Sequence, residues 1–208
     1  MKLFVAVSFL LATASAAPVQ RTLTESLDEL LALVNFEGYK ALIADQLAND
    51  ADMQRLAAVL SAPDFVDMVA GVLQNPDYQA FIEFNDNKGV DIISYIQFVI
   101  DALGWPQKQT TGAIGSRTYA DLFATWQVFF EPVGADALSW LLTAIQENVD
   151  VQDLLIYIQG QSFQDLVQYI RTQGPVVNLV ADLEAEGLDV TGTFALIIEF
   201  LGWDLPPY

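Results

Sequence analysis

The sequence predicts an all-α protein made of two related halves. Two observations carry that prediction. Residues 50–105 lie over residues 148–203 at a constant offset of 98 without a gap, and 12 of the 56 pairs are identical, so one structural unit is written twice. Helix start and stop signals mark most joints between apolar segments, whereas the apolar–polar alternation of a half-buried strand is weak throughout.

Thr22-x-x-Glu25 is a capping box ahead of a helix from Leu23 to Val34. A second helix is expected at 36–48 and a third at 52–60, after Asp50 and Asp52. Ser61-Ala62-Pro63-Asp64 opens a fourth that carries Phe65, Met68, Val69 and Val72. Asn75-Pro76 opens the fifth, with proline near the first helical position, where its missing N–H costs nothing. Lys88-Gly89 ends it, because glycine adopts the left-handed conformation that closes many helices. Asp91 caps the sixth, Ile92 to Leu103, which Gly104 closes before Trp105-Pro106. Residues 106–115 read as a linker. The second half follows with helices near 117–131, 135–147, 151–159, 162–172, 175–186 and 190–201.

The sixth helix keeps Asp91, Ser94, Gln97 and Asp101 in one narrow polar stripe. Its counterpart, Val190 to Leu201, has Glu199 as its only charge. Helices this apolar around their girth are either central core helices or line a cavity on one face, and periodicity does not separate the two.

The N-terminus reads as a secretory signal, residues 1–16: Lys2, an apolar run Leu3 to Leu11, and Ala14-Ser15-Ala16 as the cleavage site. The first repeat is then 17–107 and the second 108–208, together one domain. No later stretch reaches the ~18 apolar residues of a membrane span. There is no cysteine, so burial alone holds the fold. There is no histidine, which removes Ser-His-Asp and Cys-His nucleophile systems and the usual zinc ligands. No Asn-x-Ser/Thr sequon occurs.

The formal charge is −19, which disfavours nucleic acid and anionic lipid headgroups. Against that acidity, 53% of residues are hydrophobic. The mean hydropathy is +0.36. This apolar excess calls for an explanation.

Catalytic patterns are weak. Residues 85–91, Asn-Asp-Asn-Lys-Gly-Val-Asp, fail the calcium-loop spacing, which puts glycine sixth and glutamate twelfth. Asp50 with Asp52, Asp64 with Asp67 and Glu184 with Glu186 are the nearest carboxylate pairs, and helix starts and charged faces account for them. The expectation is a protein that is not an enzyme, with no metal and no cofactor. Trp105 and Trp203, each after Leu-Gly, read as plugs folding a helix end back onto the core.

Several marks recur in both halves: Asp-x-Gln-x-Leu at 52–56 and 150–154, and Phe-x-Asp-hydrophobic-Val at 65–69 and 163–167. Gly-hydrophobic-Asp followed by Leu-Gly-Trp recurs at 89–105 and 187–203. In these the chain resembles the insect allergen-related repeat family over about 22–205. That family includes cockroach major allergens, midgut microvillar proteins and caterpillar nitrile-specifier proteins. The resemblance implies two six-helix repeats closing into one roughly spherical shell around a large apolar cavity. It implies a secreted protein of the gut lumen or microvillar surface, a monomer carrying fatty acids or phospholipid as cargo, with transient membrane contact. The alternatives are a detoxification enzyme of the nitrile-specifier type and a structural gut-lining protein with a solid core. The expected lipid-binding lining is the set of apolar pairs at equal repeat positions: Leu56/Leu154, Leu60/Ile158, Phe65/Phe163, Val69/Val167, Val72/Ile170, Ile96/Phe194, Ile100/Ile198 and Leu103/Leu201. Ordinary helix contact is the competing role for each of them.

Overall fold

A computed structural model describes residues 21–94, 97, 101 and 119–206. The expected leader, the expected linker and Trp105 lie outside the described residues. Among the described residues there are ten helices and no strand. In the first half these are α1 Leu23–Leu33, α2 Phe36–Asn49, α3 Ala51–Leu60, α4 Pro63–Leu73 and α5 Pro76–Asn87. In the second they are α6 Tyr119–Glu147, α7 Val149–Gln159, α8 Gln161–Arg171, α9 Gly174–Ala185 and α10 Val190–Leu201. Of the expected sixth helix, residues 92–94, 97 and 101 are helical.

Several of the predicted end signals act as such, whereas Ala62, not Ser61, stands at the cap of α4 without a side-chain bond, and Gly104 lies outside the described residues. Thr22 accepts from the Glu25 N–H while the Glu25 carboxylate accepts from the Thr22 N–H, closing the capping box. Asn75 caps α5 through Asp77 and Tyr78. Gly89 and Gly187 stand at φ +77° and +91°, one residue beyond the caps of α5 and α9. There the Val90 N–H returns to the Asn85 carbonyl and the Leu188 N–H to the Leu183 carbonyl, the same closing bond 98 residues apart.

One expected boundary fails. The segments at 117–131 and 135–147 form one helix, α6, 29 residues long, with Pro132 inside it. The helix bends by 55° at that point instead of ending. Proline removes one amide donor and crowds the preceding turn, which kinks a helix instead of ending it when each arm is anchored elsewhere, here by Tyr119 and Leu122 on one side and Ile145 on the other. At the equivalent place in the first half the chain does break, at Val34, and Asn35 stands at φ 51° to restart as the cap of α2.

The shared residues now have reasons. Gln54 donates its side-chain amide to the Leu47 and Ala48 carbonyls, and Gln152 donates to the Ile145 carbonyl, each tying off the end of the preceding helix. Asp50 and Asn148 cap α3 and α7 through the amides two and three residues on. Asp91 and Asp189 accept from the Ser94 and Gly192 N–H groups.

Two buried clusters form the core, and each draws on both halves. Ile43, Met53 and Leu56 meet Tyr119, Leu122 and Leu183. Leu23 and Val90 meet Ile145 and Val151. Neither half closes a core alone.

The central-core reading of the most apolar C-terminal helix does not hold. No residue of α10 is buried, and Leu196, Ile197 and Phe200 are exposed. No residue of α4 is buried either. These helices are apolar without being covered by protein on every side. Among the described residues no single helix is long and apolar enough to cross a membrane.

Candidate functional site

Thirteen of the sixteen expected lining residues are described; Ile96, Ile100 and Leu103 lie outside the described residues. Leu56 is buried in the first core cluster, with Leu60 packed at its edge. Leu154 packs against the second cluster. Phe65, Val69, Val72, Ile158, Phe163, Val167, Ile170, Phe194, Ile198 and Leu201 are all half-buried, which leaves part of each apolar side chain unmatched by protein.

Phe163 and Phe194 join a chain of rings that sequence reasoning did not assemble. Phe81 and Phe84 of α5 lie 6.0 and 4.4 Å from Tyr157 of α7, centroid to centroid. Phe81 also meets Phe163 of α8 edge-on at 5.3 Å. Trp203 continues the run, 6.0 Å from Phe163 and 6.4 Å from Phe194. Its indole N–H donates to the Ile158 carbonyl at 2.9 Å, while Gly202 at φ 68° turns it back after α10. The plug role of Trp203 is thus visible in its contacts. Phe81, Phe84 and Tyr157 escaped notice because their repeat partners are Leu179, Asp182 and Val59, so no self-comparison flags them.

Arg171, at the end of α8, is buried, and its guanidinium sits 5.1 Å from the centre of the Phe194 ring. The first half has Leu73 in its place. A cation over an aromatic face is stabilised by the ring quadrupole.

Several polar groups join the two halves. The Lys88 ammonium donates to Asp150 and Asp153 at 2.6 Å each. Those two hydrogen bonds raise the Lys88 pKa. Arg55 donates to both Glu186 oxygens at 2.8 and 3.2 Å, and its guanidinium lies 3.8 Å from the centre of the Tyr119 ring. Glu186 also accepts from the Tyr119 N–H, placing a negative charge at the described start of α6. Burial raises the phenol pKa of Tyr39, Tyr78, Tyr119 and Tyr157.

The carboxylate pairs separate into individual duties. Asp50 is a helix cap, Glu184 accepts from the Thr191 N–H, and Asp64 and Asp67 are exposed on α4. Among the described residues no group of three or more metal-ligating side chains converges. The residues that resemble a calcium loop are a helix end: Asn85 is buried and donates to the Phe81 carbonyl.

A cleft of about 540 Å³ opens elsewhere, bordered by Asp28, Leu31, Asn35, Phe36, Lys40 and Ser94 among others. None of the thirteen described lining residues borders it. Lys40 lies 5.3 Å from the Phe36 ring centre and pairs with Glu37, so this opening is a polar-edged seam beside α1 and α2.

Residues 22–135 match the family described as insect allergen related repeat, nitrile-specifier detoxification. No curated protein matches the chain.

Proposed function

The chain belongs to the insect allergen-related repeat family, and from that membership we propose that it is a carrier of acyl lipid, not an enzyme. Its two repeats enclose fatty acid or phospholipid chains within a shell. One observation carries this reading: α4 and α10 are predominantly apolar, yet neither buries a single residue. An apolar helix surface left open to water is unfavourable by about 25 cal/mol per Å², and an acyl chain laid against it relieves that cost. The half-buried rings and aliphatic side chains from Phe65 to Leu201 supply such a lining. Specificity among chains is loose, because apolar contact counts methylenes and does not read functional groups. With the leader at residues 1–16, the protein acts as a secreted monomer in the gut lumen or at the microvillar surface. Strongly acidic, it meets membranes through apolar contact, not by charge.

The family description also names nitrile-specifier detoxification. That second reading requires turnover that is lost when one carboxylate is replaced while lipid content stays the same.

The deciding experiment is native mass spectrometry of the secreted protein, followed by organic extraction and lipid identification. Acyl lipid at defined stoichiometry, displaced by added oleate, is the expected result. A lipid-free protein that also refuses oleate overturns the carrier reading.

A further inference from the structure

Two ion pairs between the halves are related by the same 98-residue offset as the sequence. Position 55 corresponds to 153, and position 88 to 186. Arg55 binds Glu186, and Lys88 binds Asp153, so these are one contact seen twice. The polarity is inverted between repeats, however. The first repeat supplies the cation in both bridges, and the second supplies the anion. The neighbouring acid is kept in both, as Asp52 near Arg55 and Asp150 on Lys88.

A third contact lies where the repeats meet at equal positions. Gly71 of α4 and Tyr169 of α8 are repeat equivalents, and the Tyr169 hydroxyl stands 3.0 Å from where a Gly71 Cβ would be. In a two-fold arrangement, a residue on the axis faces its own equivalent. Here a large side chain meets an empty position.

We propose that the inter-repeat face is a heterospecific docking surface: each repeat accepts the opposite repeat and rejects a second copy of its own kind. Two first repeats would set Arg55 against Lys88 twice and leave a void between facing glycines. Two second repeats would set Asp153 against Glu186 twice and drive tyrosine into tyrosine. Specificity of this kind needs a repulsive element as well as an attractive one. The repeats supply both in charge and in shape.

The test uses full-length chains. Reversing one side, Arg55→Glu with Lys88→Glu, is expected to lower the melting temperature by about 10 °C. Exchanging residues between equivalent positions, Arg55→Asp, Asp153→Arg, Lys88→Glu and Glu186→Lys together, rebuilds each charge group in the opposite half. It is expected to melt within about 4 °C of the original chain and to stay monomeric. The shape element is tested by Gly71→Tyr, which destabilises, against Gly71→Tyr with Tyr169→Gly, which recovers. The proposal falls if the four-residue exchange melts as low as the one-sided reversal or does not fold. It also falls if the one-sided reversal melts like the original, or if the Gly71/Tyr169 exchange recovers nothing.

Discussion

The Asn148 side-chain amide donates to the Ser26 hydroxyl at 2.7 Å, and both residues are buried. Asn148 also caps α7, so one side chain joins α1 to the α6–α7 junction. Ser26→Ala leaves a buried amide donor without its acceptor, which costs about 1–3 kcal/mol. The expected fall in melting temperature is about 2–12 °C for a chain of this size, read by circular dichroism.

Trp203→Ala removes a ring that closes the aromatic chain and a hydrogen bond to Ile158. The ring is half-buried, so the loss lies near the low end for aromatic truncation, about 3 kcal/mol. Trp203→Phe keeps most of the ring contact and loses the hydrogen bond, about 1 kcal/mol. Equal losses in chemical denaturation would mean that the ring contacts contribute nothing beyond the indole N–H.

Two glycines have opposite expected effects. Gly187 stands at φ +91° with open space around its would-be Cβ, so Gly187→Ala meets no atom but strains the backbone, by about 1–2 kcal/mol. Gly134 lies inside α6, also with open space. Gly134→Ala is expected to stabilise by about 0.5–1 kcal/mol through helix propensity. Thermal melts of the two variants should move in opposite directions.

Stability falls on the alkaline side. The Lys88 pKa is raised in the folded chain, so its contribution is fully present below its unfolded pKa and is lost as pH rises through the folded value. Burial raises the pKa of Tyr39, Tyr78, Tyr119 and Tyr157, which favours their neutral form. Above about pH 10 the unfolded chain gains by losing those phenolic protons before the folded one does. The expected signature is late tyrosinate absorbance that rises together with loss of helical signal. Lys88→Met should remove part of the alkaline dependence.

The lining makes its own prediction. Ile198→Ala and Phe194→Ala each remove apolar contact beside any bound acyl chain and should weaken oleate binding about ten-fold, equivalent to roughly two methylenes of contact. Titration calorimetry on delipidated protein reads this directly. Unchanged affinity in both variants would assign these residues to helix contact alone.

Much of the fold was legible because helix ends are local. A capping box, an Asn-Pro start and a glycine stop each act within four residues, and the repeat doubled every signal. The expected boundary at 131–135 is a bend because Pro132 removes one amide bond from α6 without removing the buried anchors at its two ends, Leu122 and Ile145. The inter-repeat bridges were hidden for a different reason. Arg55/Asp153 and Lys88/Glu186 appear in self-comparison as mismatches. Their meaning lies in the inversion, which is visible only when opposite halves touch. Lining and core were not separable at all, since Leu56 and Ile198 follow the same apolar period with different surroundings.

The unequal use of one helical segment in the two halves makes one of them dependent on the other. Helices shorter than about 12–15 residues are marginal alone in water. At 11 residues α1 falls below that range, whereas the 29 residues of α6 exceed it. Leu23 and Ser26 of α1 are buried against Ile145 and Asn148, at and just beyond the far end of α6. Helix α1 therefore gains much of its burial only from a surface that lies more than a hundred residues further along the chain.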